Sequence, residues 1–140
     1  MPQPLTQYAS FGIMIVSASE VPGSKPLFWV GSSLEDLSTF PEPVKRVMGY
    51  GLRLAQKGGK HPDAKPLKGF HGAGVLEIVD DYDGMTYRAV YTLKLRGAVY
   101  VLHAFQKKSK KGIETPKHEI GLIESRMRMA REDYERRRQK

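Results

Sequence analysis

The stretch Ala98–Lys111, AVYVLHAFQKKSKK, limits the possible folds more than any other part of the chain. Val99, Tyr100, Val101, Leu102, Ala104 and Phe105 make an almost unbroken apolar run, rich in β-branched and aromatic residues. Such a run suits a central strand covered on both faces, so the chain must supply a layer for each side. Lys107, Lys108, Lys110 and Lys111 follow within five positions. The strand therefore delivers a cluster of ammonium groups to one edge of the domain. His103 is the polar exception inside the run, where a ring nitrogen needs a partner.

The other elements read as what covers and extends this strand. Pro26–Val30 is a short strand ended by Gly31. Ser32 and Ser33 are N-cap candidates for a short helix with Leu34 and Leu37 on its apolar side, and Asp36 stands three residues past Ser33 in a capping-box position. Pro41 and Pro43 open a second helix, in which Val44, Val47, Met48, Leu52 and Ala55 recur at helical spacing up to Gly58-Gly59. A loop rich in Gly, Pro and basic residues, His61–Gly74, leads to a strand at Val75–Val79, a turn at Asp80–Gly84 and a strand at Thr86–Leu95. Arg96-Gly97 turns into the central strand, which completes an antiparallel meander. Thr115 and Pro116 start a last helix with an inner stripe of Ile120, Ile123, Met127, Ala130 and Tyr134. Arg126, Arg128, Arg131 and Arg136 are expected on its outer face.

The expected architecture is α+β: a helical hairpin and a C-terminal helix packed on a curved antiparallel sheet, in the order β-α-α-β-β-β-α. One domain over 25–138 suffices for a chain of 140 residues. Residues 1–24 read as a loosely attached extension in which Phe11–Val16 has the makings of a short strand. The chain has no cysteine and no apolar run long enough to span a bilayer, which fits a cytoplasmic protein without disulfides or thiolate metal sites. The net charge of +8 favours polyanionic partners, nucleic acid first.

The basic candidates come from separate segments: Lys65 and Lys68 from the loop, Arg88 from a meander strand, Lys107, Lys108, Lys110 and Lys111 from the end of the central strand. Gathered at one cleft, they would hold phosphates and stabilise the extra charge of a phosphorane-like transition state. The four histidines lack ligand spacing, and Asp80, Asp81 and Asp83 sit where turn formers belong, so neither a metal nor another cofactor is expected. Each basic residue also has a plain structural role open to it. Arg88 can pair with Glu77 on the neighbouring strand, His103 can be a satisfied core histidine, and the lysines can keep a strand exit soluble.

Four segments together resemble the phage-derived branch of the RelE/ParE toxin superfamily, close to HigB toxins. They are KPLKGF from Lys65, GVLEI from Gly74, YRAVY from Tyr87 and VLHAFQKKSK from Val101. The resemblance spans about residues 25–135 and implies a toxin of a type II toxin–antitoxin pair. Its fold order is the one derived above. It implies a metal-independent endoribonuclease acting on mRNA, usually on the ribosome, in which the ribose 2′-hydroxyl attacks the adjacent phosphate and leaves a 2′,3′-cyclic phosphate. By position, Arg88 would contact the scissile phosphate, Lys68 would be the basic residue of the leucine–basic–glycine loop, and Lys107 or Lys108 the one after the last strand. The sequence departs from better-known members at Phe105 and Gln106, where a Tyr or His stands in several. His103, on the same strand face as Phe105, is then the candidate proton carrier. The implied partners are mRNA and a cognate antitoxin carrying a helix-turn-helix unit, with no membrane. ParE members share the fold but poison DNA gyrase by binding, which is the alternative, together with an inactive prophage binding module.

Overall fold

The computed structural model describes residues 6–8, 12–16, 24–70, 74–108 and 115–139. In chain order the elements are β1 (Thr6–Tyr8), β2 (Ile13–Val16), β3 (Leu27–Val30), α1 (Ser33–Ser38), α2 (Glu42–Gln56), β4 (Ala64–Pro66), β5 (Val75–Tyr82), β6 (Met85–Thr92), β7 (Val99–Lys108) and α3 (Lys117–Arg138). The strands form one mixed sheet in the order β1-β2-β3-β7-β6-β5-β4. The α+β class is as expected, with α1 and α2 on one face and α3 on the other.

The sheet is not wholly antiparallel. The chain leaves β3 through two helices and a meander, and returns as β7 beside β3 and parallel to it, Leu27 opposite Val99. β7 thus lies between β3 and β6, and Val99, Tyr100, Val101 and Leu102 are each fully buried. Alternation along β7 supplies both cores. Val99, Val101 and Ala104 pack with Leu37, Phe40, Val44 and Met48 under the helical hairpin. Tyr100, Leu102 and Phe105 pack with Ile123, Met127 and Ala130 under α3.

One irregularity resets this alternation. Val90 of β6 pairs with His103, but Tyr91 pairs with Val101, so Leu102 is an extra residue on β7. A bulge of this kind turns two consecutive side chains toward one face. Leu102 and His103 both face α3 for that reason, and Phe105 follows on the same side, its ring stacked on His103 at 4.8 Å.

The other joints follow from local chemistry. Asp83 and Gly84 adopt positive φ, 51° and 78°, in the two-residue turn that pairs Tyr82 with Met85. Ser32, not Ser33, stands at the N-cap of α1, and no side-chain cap forms there. Its Oγ donates instead to Oδ2 of Asp36 at 2.7 Å, while Oγ of Ser33 donates to the carbonyl of Val101 at 3.2 Å and ties α1 to the central strand. Pro116 rather than Thr115 occupies the N-cap of α3. Among the described residues no helix is long and apolar enough to cross a membrane.

The sheet begins before Pro26. β2 pairs antiparallel with β3, Ile13 opposite Val30, and β1 pairs with β2. The Ile13 side chain is fully buried in the α3-side core. Removing residues 1–24 should therefore lower the melting temperature, and Ile13→Ala alone should cost about 2–5 kcal/mol in urea unfolding. A loss within about 0.5 kcal/mol, the range of surface substitutions, would instead place the working edge of the sheet at β3.

Candidate functional site

Strand register brings several of the charged candidates to the α3-side face of the meander. Lys65 on β4 is opposite Glu77 on β5, and Glu77 is opposite Val90 on β6. Arg88 is opposite Phe105 on β7, Thr86 opposite Lys107, and Met85 opposite Lys108. Val90 and Phe105 pack in the α3-side core. Period-two alternation then puts Lys65, Glu77, Arg88 and Lys107 on that same face.

Arg88 and Glu77 meet diagonally across β5 and β6. Nη1 of Arg88 donates to Oε1 of Glu77 at 2.5 Å, and both side chains are about nine-tenths buried, 7% exposed each. This is the cross-strand pair open to Arg88 from the sequence. It fixes the guanidinium plane, yet Nε of Arg88 is buried without a hydrogen-bond partner among the described residues. An unmet buried donor costs on the order of 1–3 kcal/mol, and a charged one more. An anion oxygen arriving at that edge would therefore meet a fixed, desolvated N–H.

His103 is enclosed. Its Nε2 lies 2.7 Å from Oε1 of Glu119 and its Nδ1 lies 3.3 Å from Nη1 of Arg126, both on α3. The side chain is 6% exposed. Burial pulls its pKa below the ordinary histidine value; Glu119 and Asp36 pull upward, and Arg126 adds to the downward shift. Both ring nitrogens are in use, so the imidazole offers no free nitrogen to a substrate in this arrangement.

The lysines are placed differently. Lys65 and Lys68 are exposed, the first on β4 and the second in the loop that follows it. Lys107 is half-buried near the end of β7 and engaged with its surroundings. Lys108 closes β7, and Lys110 and Lys111 lie outside the described residues. Arg88, Phe105, His103 and Lys107 are thus brought onto one face, while Lys68 is exposed in the loop beside Leu67, which packs in the same core. Among the described residues no group of three or more His, Asp or Glu side chains is arranged to hold a metal ion. Asp81 accepts a hydrogen bond from Thr86 Oγ1 at 2.7 Å beside the hairpin turn, in keeping with a structural role.

Arg126 was expected on the outer face of α3 and is instead buried, 8% exposed. Its Nη1 donates to the Leu102 carbonyl at 2.9 Å, and Nη2 donates to Oγ of Ser32 at 2.9 Å. The bulge supplies the reason: Leu102 has no partner on β6, which leaves its carbonyl available. Gly31 supplies the room, since a Cβ there would lie 2.8 Å from Nε of Arg126. The signal in the sequence was spacing. Glu119, Arg126 and Asp133 recur every seventh residue beside the apolar stripe, which keeps them on one flank of the helix.

The profile of a family described as Phage derived protein Gp49-like (DUF891) matches residues 35–128, which include Arg88, Glu77, His103 and Arg126. No curated protein and no solved structure matches the chain.

The Arg88–Glu77 pair makes a stability prediction independent of activity. Removing one partner leaves the other charge buried and alone, a loss of about 3–5 kcal/mol. Arg88→Ala should show it in denaturant unfolding. The double variant Arg88→Met with Glu77→Leu should recover most of the loss. Additive losses in the double variant would mean the two groups do not act as a pair.

Proposed function

The chain belongs to the Gp49-like family of phage-derived proteins, a RelE-like toxin family, and from this premise we propose that it is a metal-independent endoribonuclease directed at mRNA. The observation that supports the reading is Arg88: a guanidinium fixed within a strand, with an unused buried N–H, on the face where Lys65 and Lys107 also stand. In the proposed reaction a phosphate oxygen takes that N–H, and Lys65, Lys68 and Lys107 hold flanking phosphates. The 2′-hydroxyl loses its proton, its oxygen bonds to phosphorus, and the bond from phosphorus to the 5′-oxygen breaks. The products are a 2′,3′-cyclic phosphate and a 5′-hydroxyl, the proton passing to the leaving oxygen. Glu77, the carboxylate in contact with Arg88, is the proposed acceptor of the 2′-hydroxyl proton. His103 is assigned to holding α3, because both its nitrogens are occupied.

A toxin of this family implies an antitoxin partner. We propose a small acidic one with a helix-turn-helix unit, since complementary charge speeds association with a chain of net charge +8. Cytoplasmic location and association with the ribosome belong to the same proposal. A second reading, a ParE-like toxin that binds DNA gyrase without cutting RNA, draws support from the same ion pair. A guanidinium already neutralised by Glu77 is less available to phosphate.

The deciding experiment is single-turnover cleavage of a short RNA, with mapping of the 5′ ends and a gyrase supercoiling assay on the same preparation. The parent should cleave. Arg88→Lys should keep the fold and lose cleavage on the order of 100-fold, because an ammonium cannot copy the paired donors of a guanidinium. Lys68→Ala should weaken RNA binding in a salt-dependent manner more than it slows the bound step. A parent that inhibits gyrase and leaves RNA intact, or a folded Arg88→Lys that cleaves at the parental rate, removes the proposed active site.

A further inference from the structure

His103, Arg126 and the turn before α1 form one hydrogen-bonded cluster that the proposed cleavage chemistry does not use. Its geometry fixes where the protons are. A guanidinium has only donors, so Nδ1 of His103, 3.3 Å from Nη1 of Arg126, is an acceptor. Nε2 therefore carries the ring proton and donates it to Oε1 of Glu119 at 2.7 Å. Arg126 then reaches Oγ of Ser32, and Ser32 passes a hydrogen bond on to Oδ2 of Asp36 at 2.7 Å. One neutral imidazole thus completes a chain of contacts from the first turn of α3, across β7, to the first turn of α1.

We propose that His103 and Arg126 form a proton-sensitive latch, in which a proton on Nδ1 of His103 displaces Arg126 and frees the β3–α1 turn from α3. The second proton converts the acceptor into a donor and sets an imidazolium against a guanidinium. Glu119 keeps its hold on the charged ring, so the contacts that open are those of Arg126 with Leu102 and Ser32. The charged groups acting on the ring are Glu119 and Arg126 on α3 and Asp36 on α1; Arg88 stands on the same face of β6, opposite Phe105, with its charge met by Glu77. His118 is exposed and 3.8 Å from Glu119. Burial outweighs the two carboxylates and keeps the folded ring harder to protonate than a free one. The sign follows from that ordering. Above the ordinary histidine pKa the ring is neutral in folded and unfolded chains alike, and the latch is closed. As the pH falls below it, the unfolded or unlatched form takes up the proton first, so latching weakens toward acid.

The test is an NMR titration of the full chain from about pH 7.5 to about pH 5, the range in which a histidine ring changes charge. His103 should be in the Nε2–H form at neutral pH and titrate below about 6.5. The Nε–H signal of Arg126 should shift with it. Amide protection around Asp36 and Arg126 should fall over the same interval, by up to about 10-fold per pH unit for one proton. In parallel, His103→Gln should lose less melting temperature on acidification than the parent. Three results each overturn the latch: a midpoint at or above about 6.5, an Arg126 signal that ignores the titration, or equal acid sensitivity in a folded His103→Gln. Should His103→Gln not fold, the titration of the parent decides alone.

Discussion

The polar seam between α3 and β7 is the interaction on which the rest of the structure depends. Glu119, Arg126 and Asp133 stand every seventh residue on α3. Each is matched to a consecutive part of the central strand: Glu119 to His103, Arg126 to the Leu102 carbonyl, and Asp133 to the Tyr100 hydroxyl at 2.7 Å. Between them only Ile123, Met127 and Ala130 are buried apolar anchors. Ile120, Met129 and Tyr134 add partly buried apolar contact, and the polar seam fixes which turn of α3 meets which part of β7. The bulge at Leu102 makes the match possible, because it turns Leu102 and His103 to one side and leaves a carbonyl for Arg126. At the far end, Arg137 donates to Asp133 at 2.6 Å and lies 4.6 Å over the Phe28 ring, which stacks on Tyr100. Burial and the Asp133 carboxylate together push the Tyr100 hydroxyl pKa far up, so it remains a donor.

Two buried arginines are satisfied in opposite ways, and the contrast bears on function. Arg126 spends its Nη groups on neutral acceptors, a carbonyl, an imidazole and a hydroxyl, with Asp36 one hydrogen bond away. Arg88 has a carboxylate at one end and, among the described residues, an unmet N–H at the other. The first arrangement is closed and holds two elements together. The second is a pair with one position left over. Trp29 Nε1 and the Tyr91 hydroxyl are also buried without a partner among the described residues, but of these donors only Arg88 belongs to a charged group, where an unpaired N–H is most costly.

Much of the fold was legible because its strongest signals are local. The apolar run of β7 required cover on both sides, and the spacing of Val44, Met48, Leu52 and Ala55 placed α2 against the sheet. Asp83-Gly84 closed a hairpin as its chemistry demands. Long-range features were not legible. The parallel pairing of β3 with β7, and the attachment of β2 to β3, depend on which edges meet after the chain has turned several times. Arg126 was misplaced because a charge is solvated by default, and only the bulge, a property of two strands together, makes its burial affordable. At the candidate site the sequence named Arg88 and the lysines by residue type, and named Glu77 as the neighbour of Arg88. It gave no sign that His103 would have both nitrogens filled, since Glu119 and Arg126 come from a helix that begins more than ten residues later.

The Arg88–Glu77 pair also sets what any anion at this site must do. A carboxylate holding Nη1 keeps the guanidinium in one plane before substrate arrives, which removes a reorganisation cost from the reaction. The same contact makes the charge harder to reach, since an incoming phosphate must share or displace Glu77. Sharing is the less costly course here. The buried Nε–H lies on a different edge of the guanidinium from the bonded Nη1, so the ion pair itself does not occupy it, and an acceptor reaches it only where the side chains that cover it move aside. A carboxylate left in place beside a bound phosphate repels a static anion. It is favourable only if it takes up a proton as charge builds on the phosphoryl group. Under the proposed cleavage reading, an arginine and a glutamate in this arrangement suit a step in which a hydroxyl is deprotonated next to a phosphate better than simple anion storage.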